Sequence, residues 1–184
     1  MQKMKIVVAC GGFSEENEVS KISSAEISRA LQEKGHSVRV MDPADYTSYQ
    51  EFISRIREQD PDIVFNGMHG SEGENGLIQA LFELNGLAYT GSGVRASALA
   101  MDKYISGLLA ESLGMTVPAR RRLARGRLPR FEPDFPDLPL VVKPNDSGSS
   151  VGITIVTEPA QIKPALAEAA LYSPFLLLEE FIPG

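Results

Sequence analysis

Residues 6–10, Ile-Val-Val-Ala-Cys, are an uninterrupted apolar run that stops on Gly11-Gly12. A short run of this kind, closed by glycines, reads as a strand buried on both faces, the pattern of a parallel sheet. The period then changes. Residues 14–34 read as an amphipathic helix with Val19, Ile22, Ile27, Ala30 and Leu31 on its apolar face, ended by Gly35. A second strand over 37–41, a helix over 49–58 and a third strand over 62–65, behind Pro61, follow. The loop 69–75, a helix over 76–84 halted by Asn85-Gly86, and a short strand over 87–89 complete the series. Strand and helix alternate on short links, so the expected fold class is α/β, a parallel, doubly wound sheet. In such sheets ligands bind at the carboxyl ends of strands, where Gly11-Gly12 and His69-Gly70 both lie.

Helices over 94–100 and 103–113 lead into a second piece, and the division falls into 1–98 and 99–184. Between 120 and 139 the chain changes character, with prolines at 129, 133, 136 and 139 and six arginines between 120 and 130. That arginine cluster reads as a solvated, mobile face in preference to an anion site. A strand over 140–143, a polar glycine-bearing loop, a strand over 152–156, a helix over 159–172 and a strand over 175–180 have the order of a small α+β unit. The sequence stops just after that last apolar strand. Domain boundaries rarely fall there, so a truncated piece of a longer protein is expected.

The formal net charge of −6 and sequence pI of about 5.0 argue against nucleic acid and anionic lipid as principal partners. No apolar stretch approaches a membrane span. Cys10, the one cysteine, allows no intrachain disulfide, which fits a reducing cytoplasm.

Three glycines in the eight residues His69-Gly70-Ser71-Glu72-Gly73-Glu74-Asn75-Gly76 let the backbone approach a ligand closely. His69 can give or take a proton near neutrality, and the acidic pair Glu72 and Glu74 is placed to position it. Gly11-Gly12 turns a strand into a helix whose free N–H groups favour an anion. Lys143 ends an apolar strand directly before a polar loop, and Ser147, Gly148, Ser149 and Ser150 offer hydroxyls and amides to phosphates. No Gly-Lys-Ser/Thr follows, so this is not a Walker A loop, and Gly11-Gly12 does not continue as a dinucleotide fingerprint.

Extended through Leu77-Ile78-Gln79-Ala80, the His69 segment resembles the signature of the D-alanine–D-alanine ligases: His-Gly, two free positions, Gly-Glu-Asp/Asn-Gly, a free position, an apolar residue, Gln and a small residue. Gly11-Gly12-Phe13-Ser14-Glu15-Glu16-Asn17-Glu18-Val19-Ser20 is similar to the family's first motif. Lys143-Pro144-Asn145-Asp146-Ser147-Gly148-Ser149-Ser150-Val151-Gly152 is similar to its phosphate loop. Asn145-Asp146 stand where basic or other polar residues are common. Ala100-Met101-Asp102-Lys103 is also typical, and the motifs keep the family's order.

The resemblance implies an ATP-grasp enzyme whose first, pre-ATP-grasp sheet occupies 1–98. An incomplete central ATP-grasp subdomain would fill 99–184. It implies that Glu16 holds the ammonium of the first D-alanine, that His69 orients that substrate, and that Ser149 ties the phosphate loop to Glu16. Lys103, Lys143 and Ser150 would face the phosphates of ATP. Glu179 would accept from the exocyclic amine of adenine, Glu180 and Ile182 would present backbone groups, and Phe181 would give an apolar face. The implied reaction phosphorylates the carboxylate of one D-alanine. The amine of a second then attacks, for cell-wall peptidoglycan synthesis. Magnesium or manganese would share the phosphate charge, on ligands absent from these 184 residues, so the chain alone is expected not to form the dipeptide. A homodimer is the implied assembly. A ligase making D-alanyl-D-lactate or D-alanyl-D-serine, or an amino-acid-binding or dimerisation module without catalysis, stays open at this point.

Overall fold

The structure, a computed structural model, describes residues 2–126, 137–148 and 150–183. The chain divides into two compact units, Met1–Ala98 and Leu99–Gly184. Ser149, the prolines at 129, 133 and 136 and the arginines at 127 and 130 lie outside the described residues.

In the first unit β1 (Lys5–Ala9), β2 (Ser37–Met41) and β3 (Ile63–Asn66) pair in parallel, in the order β2-β1-β3. The apolar run takes the central position, with Ile6 to Ala9 all buried. Val7 and Ala9 join a core with Phe52, Ile53 and Ile56 of α2 (Tyr49–Glu58). Ile78 and Phe82 of a later helix, Leu77–Leu84, complete it. Strand alternation sends Ile6 and Val8 to the opposite face, where α1 (Asn17–Glu33) lies against β1 and β2. The sheet is therefore doubly wound.

α1 uses only part of the apolar face its sequence offers, with Ile27 and Leu31 half-buried. Val19 and Ile22 are exposed, and the buried stripe is Ser20, Ser24 and Ser28. Serines spaced by four on one helical face bring α1 close enough to hydrogen-bond the strand ends, which bulky side chains would prevent. Residues 87–89 do not build a fourth strand. They make one parallel bridge, Val64 to Tyr89, with Ala88 O accepting from Val64 N–H at 2.8 Å. The expected loop at 69–75 contains a single helical turn, α3 (Ser71–Glu74), before α4 (Leu77–Leu84).

Helix α5 (Val94–Met101) precedes α6 (Lys103–Ser112). In the second unit β4 (Arg120–Ala124), β5 (Leu140–Pro144), β6 (Thr154–Val156) and β7 (Phe175–Glu180) form an antiparallel sheet in the order β4-β7-β5-β6. Leu140, Val142, Val156, Leu176 and Leu178 pack on Ile162, Ala165, Leu166 and Ala169 of α7 (Ile162–Ala169). The alternate positions face the other way. The register aligns Arg120, Glu179 and Val141, and beside them Arg122, Leu177 and Lys143. One face of this sheet is thus the core, and the other carries Arg120, Arg122, Lys143 and Glu179.

Arg120 is not part of a solvated face, and Arg122, though exposed, is held by its neighbours. The Arg120 side chain is only 4% exposed, with Nη2 3.0 Å from Glu111 Oε2. The guanidinium carbon of Arg122 lies 4.9 Å from the ring centre of Tyr104 and 5.0 Å from that of Phe175, with Asp102 Oδ2 at 3.6 Å from Nη1. A guanidinium packs through its flat face while its edge meets a carboxylate, so an arginine run can serve as strand and lining together. Among the described residues no helix is long and apolar enough to cross a membrane.

Candidate functional site

In the first unit the two predicted motifs come together at the carboxyl ends of the parallel strands. Gly11 N–H donates to Ser20 Oγ at 2.8 Å, and that hydroxyl donates to Gly67 O at 2.7 Å, tying α1 to both loops. Asp42, directly after β2, accepts from Gly12 N–H and Ala44 N–H, each at 2.9 Å. Ser14 Oγ donates to His69 O at 2.7 Å. Gly70 has φ +78°, and a Cβ there would lie 2.6 Å from Ser14 Oγ and 3.6 Å from Glu16 Cβ. Only glycine lets the signature loop come so close to the turn that carries Glu16. Glu16 itself is half-buried at the cap position of α1.

The acidic pair does not position His69. Glu74 accepts from Gly70 N–H at 2.9 Å, and Glu72 accepts from Phe13 N–H at 2.6 Å. The partner of the ring is Ser23 Oγ, 3.0 Å from His69 Nε2. Ser23 also reaches Val19 O at 3.0 Å and Ser20 O at 3.1 Å. Given to either carbonyl, its one hydrogen leaves Oγ to accept from Nε2–H, and the neutral ring then keeps an acceptor at Nδ1. Gln79 of the signature, buried, donates to Gly73 O at 2.8 Å beside Asn66 Nδ2 at 2.9 Å. These amides hold the loop in shape.

In the second unit Lys143 Nζ is ion-paired with Glu179, both largely buried. Lys103 Nζ donates to Ser147 O, so the start of α6 is bound to the phosphate-loop segment. Burial first, and the charge of Lys143 second, push the Lys103 ammonium below its usual pKa. Asn145, 1% exposed, makes the joint: Oδ1 accepts from Tyr104 N–H and its carbonyl from Lys103 N–H, both at 3.0 Å. Ser150 holds φ +59°, strained backbone of the kind found at ligand sites. Glu180 N–H donates to Ala119 O at 2.8 Å and Phe181 N–H to Pro139 O at 3.3 Å, while Ile182 is exposed. The structure therefore brings the turn that carries Glu16 against the loop that carries His69, and Lys103 near Lys143 and Glu179.

Sequence reasoning passed over Asp42, Ser20, Ser23 and Asn145. Asp42 had a usable signal, a carboxylate at the carboxyl end of a parallel strand, and the serines had their spacing. Asn145 had none, because its role depends on where α6 begins. Among the described residues no group of three or more His, Cys, Asp and Glu could hold a metal ion. The described residues therefore do not fit the implied magnesium or manganese.

The D-ala D-ala ligase N-terminus family model matches residues 42–92, and the D-ala D-ala ligase C-terminus model matches 125–184. The D-alanine–D-alanine ligase of Coprothermobacter proteolyticus is 38% identical over 98% of this chain, which spans 59% of that protein. The crystal structure of the D-alanine–D-alanine ligase of Bacillus anthracis superposes with a TM-score of 0.88 at 30% identity, over 98% of this chain and 58% of that one. The same enzyme complexed with ATP gives 0.86 at 27% identity, over 98% and 60%. Two family models in their proper order, over a chain whose turns and loops are held by the motif residues themselves, lead to one assignment. This chain belongs to the D-alanine–D-alanine ligase family.

Proposed function

We propose that the first unit is the amino-acid-binding domain and the second the central ATP-grasp subdomain of an ATP-dependent D-alanine–D-alanine ligase. The observation that carries this is the fastening of the Glu16 turn to the His69 loop through Ser14 and Gly70. A carboxylate and an imidazole carried on two such adjoining, glycine-bearing loops suit a small zwitterion. Glu16 would take the ammonium, a charge-assisted bond of about 1.5–3 kcal/mol. His69, held by Ser23, would orient the same molecule. Ser149 is assigned the link from the phosphate loop to Glu16.

Lys103 and Lys143 are two cations beside a loop of hydroxyls and amides, a donor set that suits a polyphosphate. Ser150 joins them there. Glu179 is assigned the adenine amine, Glu180 and Ile182 backbone contacts to the base, and Phe181 its apolar face. ATP supplies the phosphoryl group that turns a carboxylate into an electrophile. These residues offset phosphate charge and hold the nucleotide in register. Self-association as a homodimer and a cytoplasmic location belong to the same reading.

The test is calorimetry on the 184-residue chain with D-alanine and with ATP. Lys143→Ala should weaken ATP binding by about 10–100-fold, the value of a lost charge-assisted contact, and leave D-alanine binding unchanged. Binding of D-alanine with no response to nucleotide would instead favour a small-molecule module without catalysis.

A further inference from the structure

Glu72 occupies one of the two free positions of the signature, so the resemblance assigns it nothing. Its Oε1 accepts from Phe13 N–H at 2.6 Å and from Tyr49 Oη at 3.2 Å, and its Oε2 accepts from Ser71 Oγ at 2.9 Å. One carboxylate thus joins the Gly-Gly turn, the start of α2 and the start of α3. Gly12, at φ +90°, makes room for it. A Cβ there would lie 2.9 Å from Met68 Cε and 3.0 Å from Glu72 Oε1. The Phe13 ring meets Tyr49 edge-on, centres 5.9 Å apart, closing the same corner with an apolar contact.

We propose that Glu72 is a positioning residue for the amino-acid site: its carboxylate pins the turn over residues 11–16 to the signature loop and so fixes where the Glu16 carboxylate stands. Other anchors hold that turn on either side of Phe13, Ser20 at Gly11 N–H and Asp42 at Gly12 N–H before it, and Ser14 at His69 O after it. Glu72 takes the Phe13 amide, between the Gly12 and Ser14 anchors. Remove it and the Phe13 amide loses its acceptor. Both Glu72 oxygens already accept protein donors, which suits an anchor better than a substrate ligand. Partial burial works against its charge. The donors from Phe13, its own backbone, Ser71 and Tyr49 outweigh that and hold the carboxyl below its usual pKa.

This inference rests on the D-alanine reading, and the experiment separates the two. Glu72→Leu, Glu72→Gln and Glu16→Gln are compared in the 184-residue chain by D-alanine affinity, by hydrogen exchange at the Phe13 amide and by melting temperature. Glu72→Leu should free the Phe13 amide and weaken D-alanine binding about tenfold, while Glu72→Gln, keeping one acceptor, should stay within about threefold. A lowered melting temperature with unchanged affinity of the folded chain would mean a purely structural residue and overturn the proposal. Should Glu72→Leu fail to fold, Glu72→Ala decides, because it too removes the acceptor: an affinity identical to the parent with the Phe13 amide freed overturns the proposal. If Glu16→Gln abolishes binding and the Glu72 variants do not weaken it, only the Glu72 proposal falls. If the parent chain ignores D-alanine, or Glu16→Gln binds as well as the parent, the D-alanine reading falls and takes this one with it.

Discussion

The two units hold their candidate residues by opposite means. In the first, the turn and loop are fastened by hydrogen bonds among backbone amides, serine hydroxyls and buried carboxylates: Gly11 to Ser20, Gly12 to Asp42, Ser14 to His69. These bonds do not have to break when a ligand arrives. In the second, Lys143 is paired with Glu179 and Lys103 is turned onto the carbonyl of Ser147. Under the proposed reading, a polyphosphate would have to compete for both cations. A small neutral-overall ligand selects by shape and needs a rigid frame, whereas a highly charged one can afford to displace the groups that keep its site folded without it.

The largest effect that would break this contrast comes from the rigid side. Gly70→Ala adds a methyl 2.6 Å from Ser14 Oγ at a left-handed residue. Left-handed strain and overpacking together should cost about 2–4 kcal/mol in urea unfolding and abolish D-alanine binding. A variant that binds normally would show the first frame to be compliant.

A smaller effect sharpens the exchange side. Lys103 has a folded pKa below 10.5, lowered chiefly by burial and then by Lys143. Between that folded value and the unfolded one the unfolded chain binds more protons, so the group's penalty on stability is relieved as pH rises through this window. Phosphates reverse the shift. ATP binding in the same alkaline window should therefore take up a fraction of a proton, seen as a buffer-dependent calorimetric enthalpy. No buffer dependence would mean that Lys103 keeps its carbonyl partner.

The smallest effect probes the floor of the first site. Cys10 is buried between β1 and Gly11, and desolvation first, then the Asp42 charge, push its thiol up to about 11. At pH 8 a disulfide reagent should modify the folded chain at least about 100-fold more slowly than the chain in denaturant. Rapid modification would reveal opening at the strand ends.

Much of this was legible in the sequence. The run over 6–10, the helix over 49–58 and the strand over 175–180 are where periodicity places them, and the motif glycines mark true close approaches. What was not legible shares a cause. The apolar pattern of α1 pointed to Val19 and Ile22, yet the helix turns Ser20 and Ser24 inward because Gly11 N–H and Gly67 O need partners. A pattern of hydrophobicity cannot report a need created by two other strands. The ring of His69 went to Ser23 and not to its acidic neighbours for the same reason. Arg120 and Arg122 misled differently: composition counts charge, and only the strand register shows that both arginines share a face with Glu179 and Lys143.

The serine stripe on α1 has a wider consequence. Where a helix rests on a sheet through leucine and valine, its height is set by side-chain bulk and drifts as those residues are exchanged. Here the gauge is the length of an O–H···O bond, 2.7 Å from Ser20 to Gly67. That gap tolerates no thicker shim, so the usual evolutionary route to a sturdier domain, enlarging the interior, is closed at this seam.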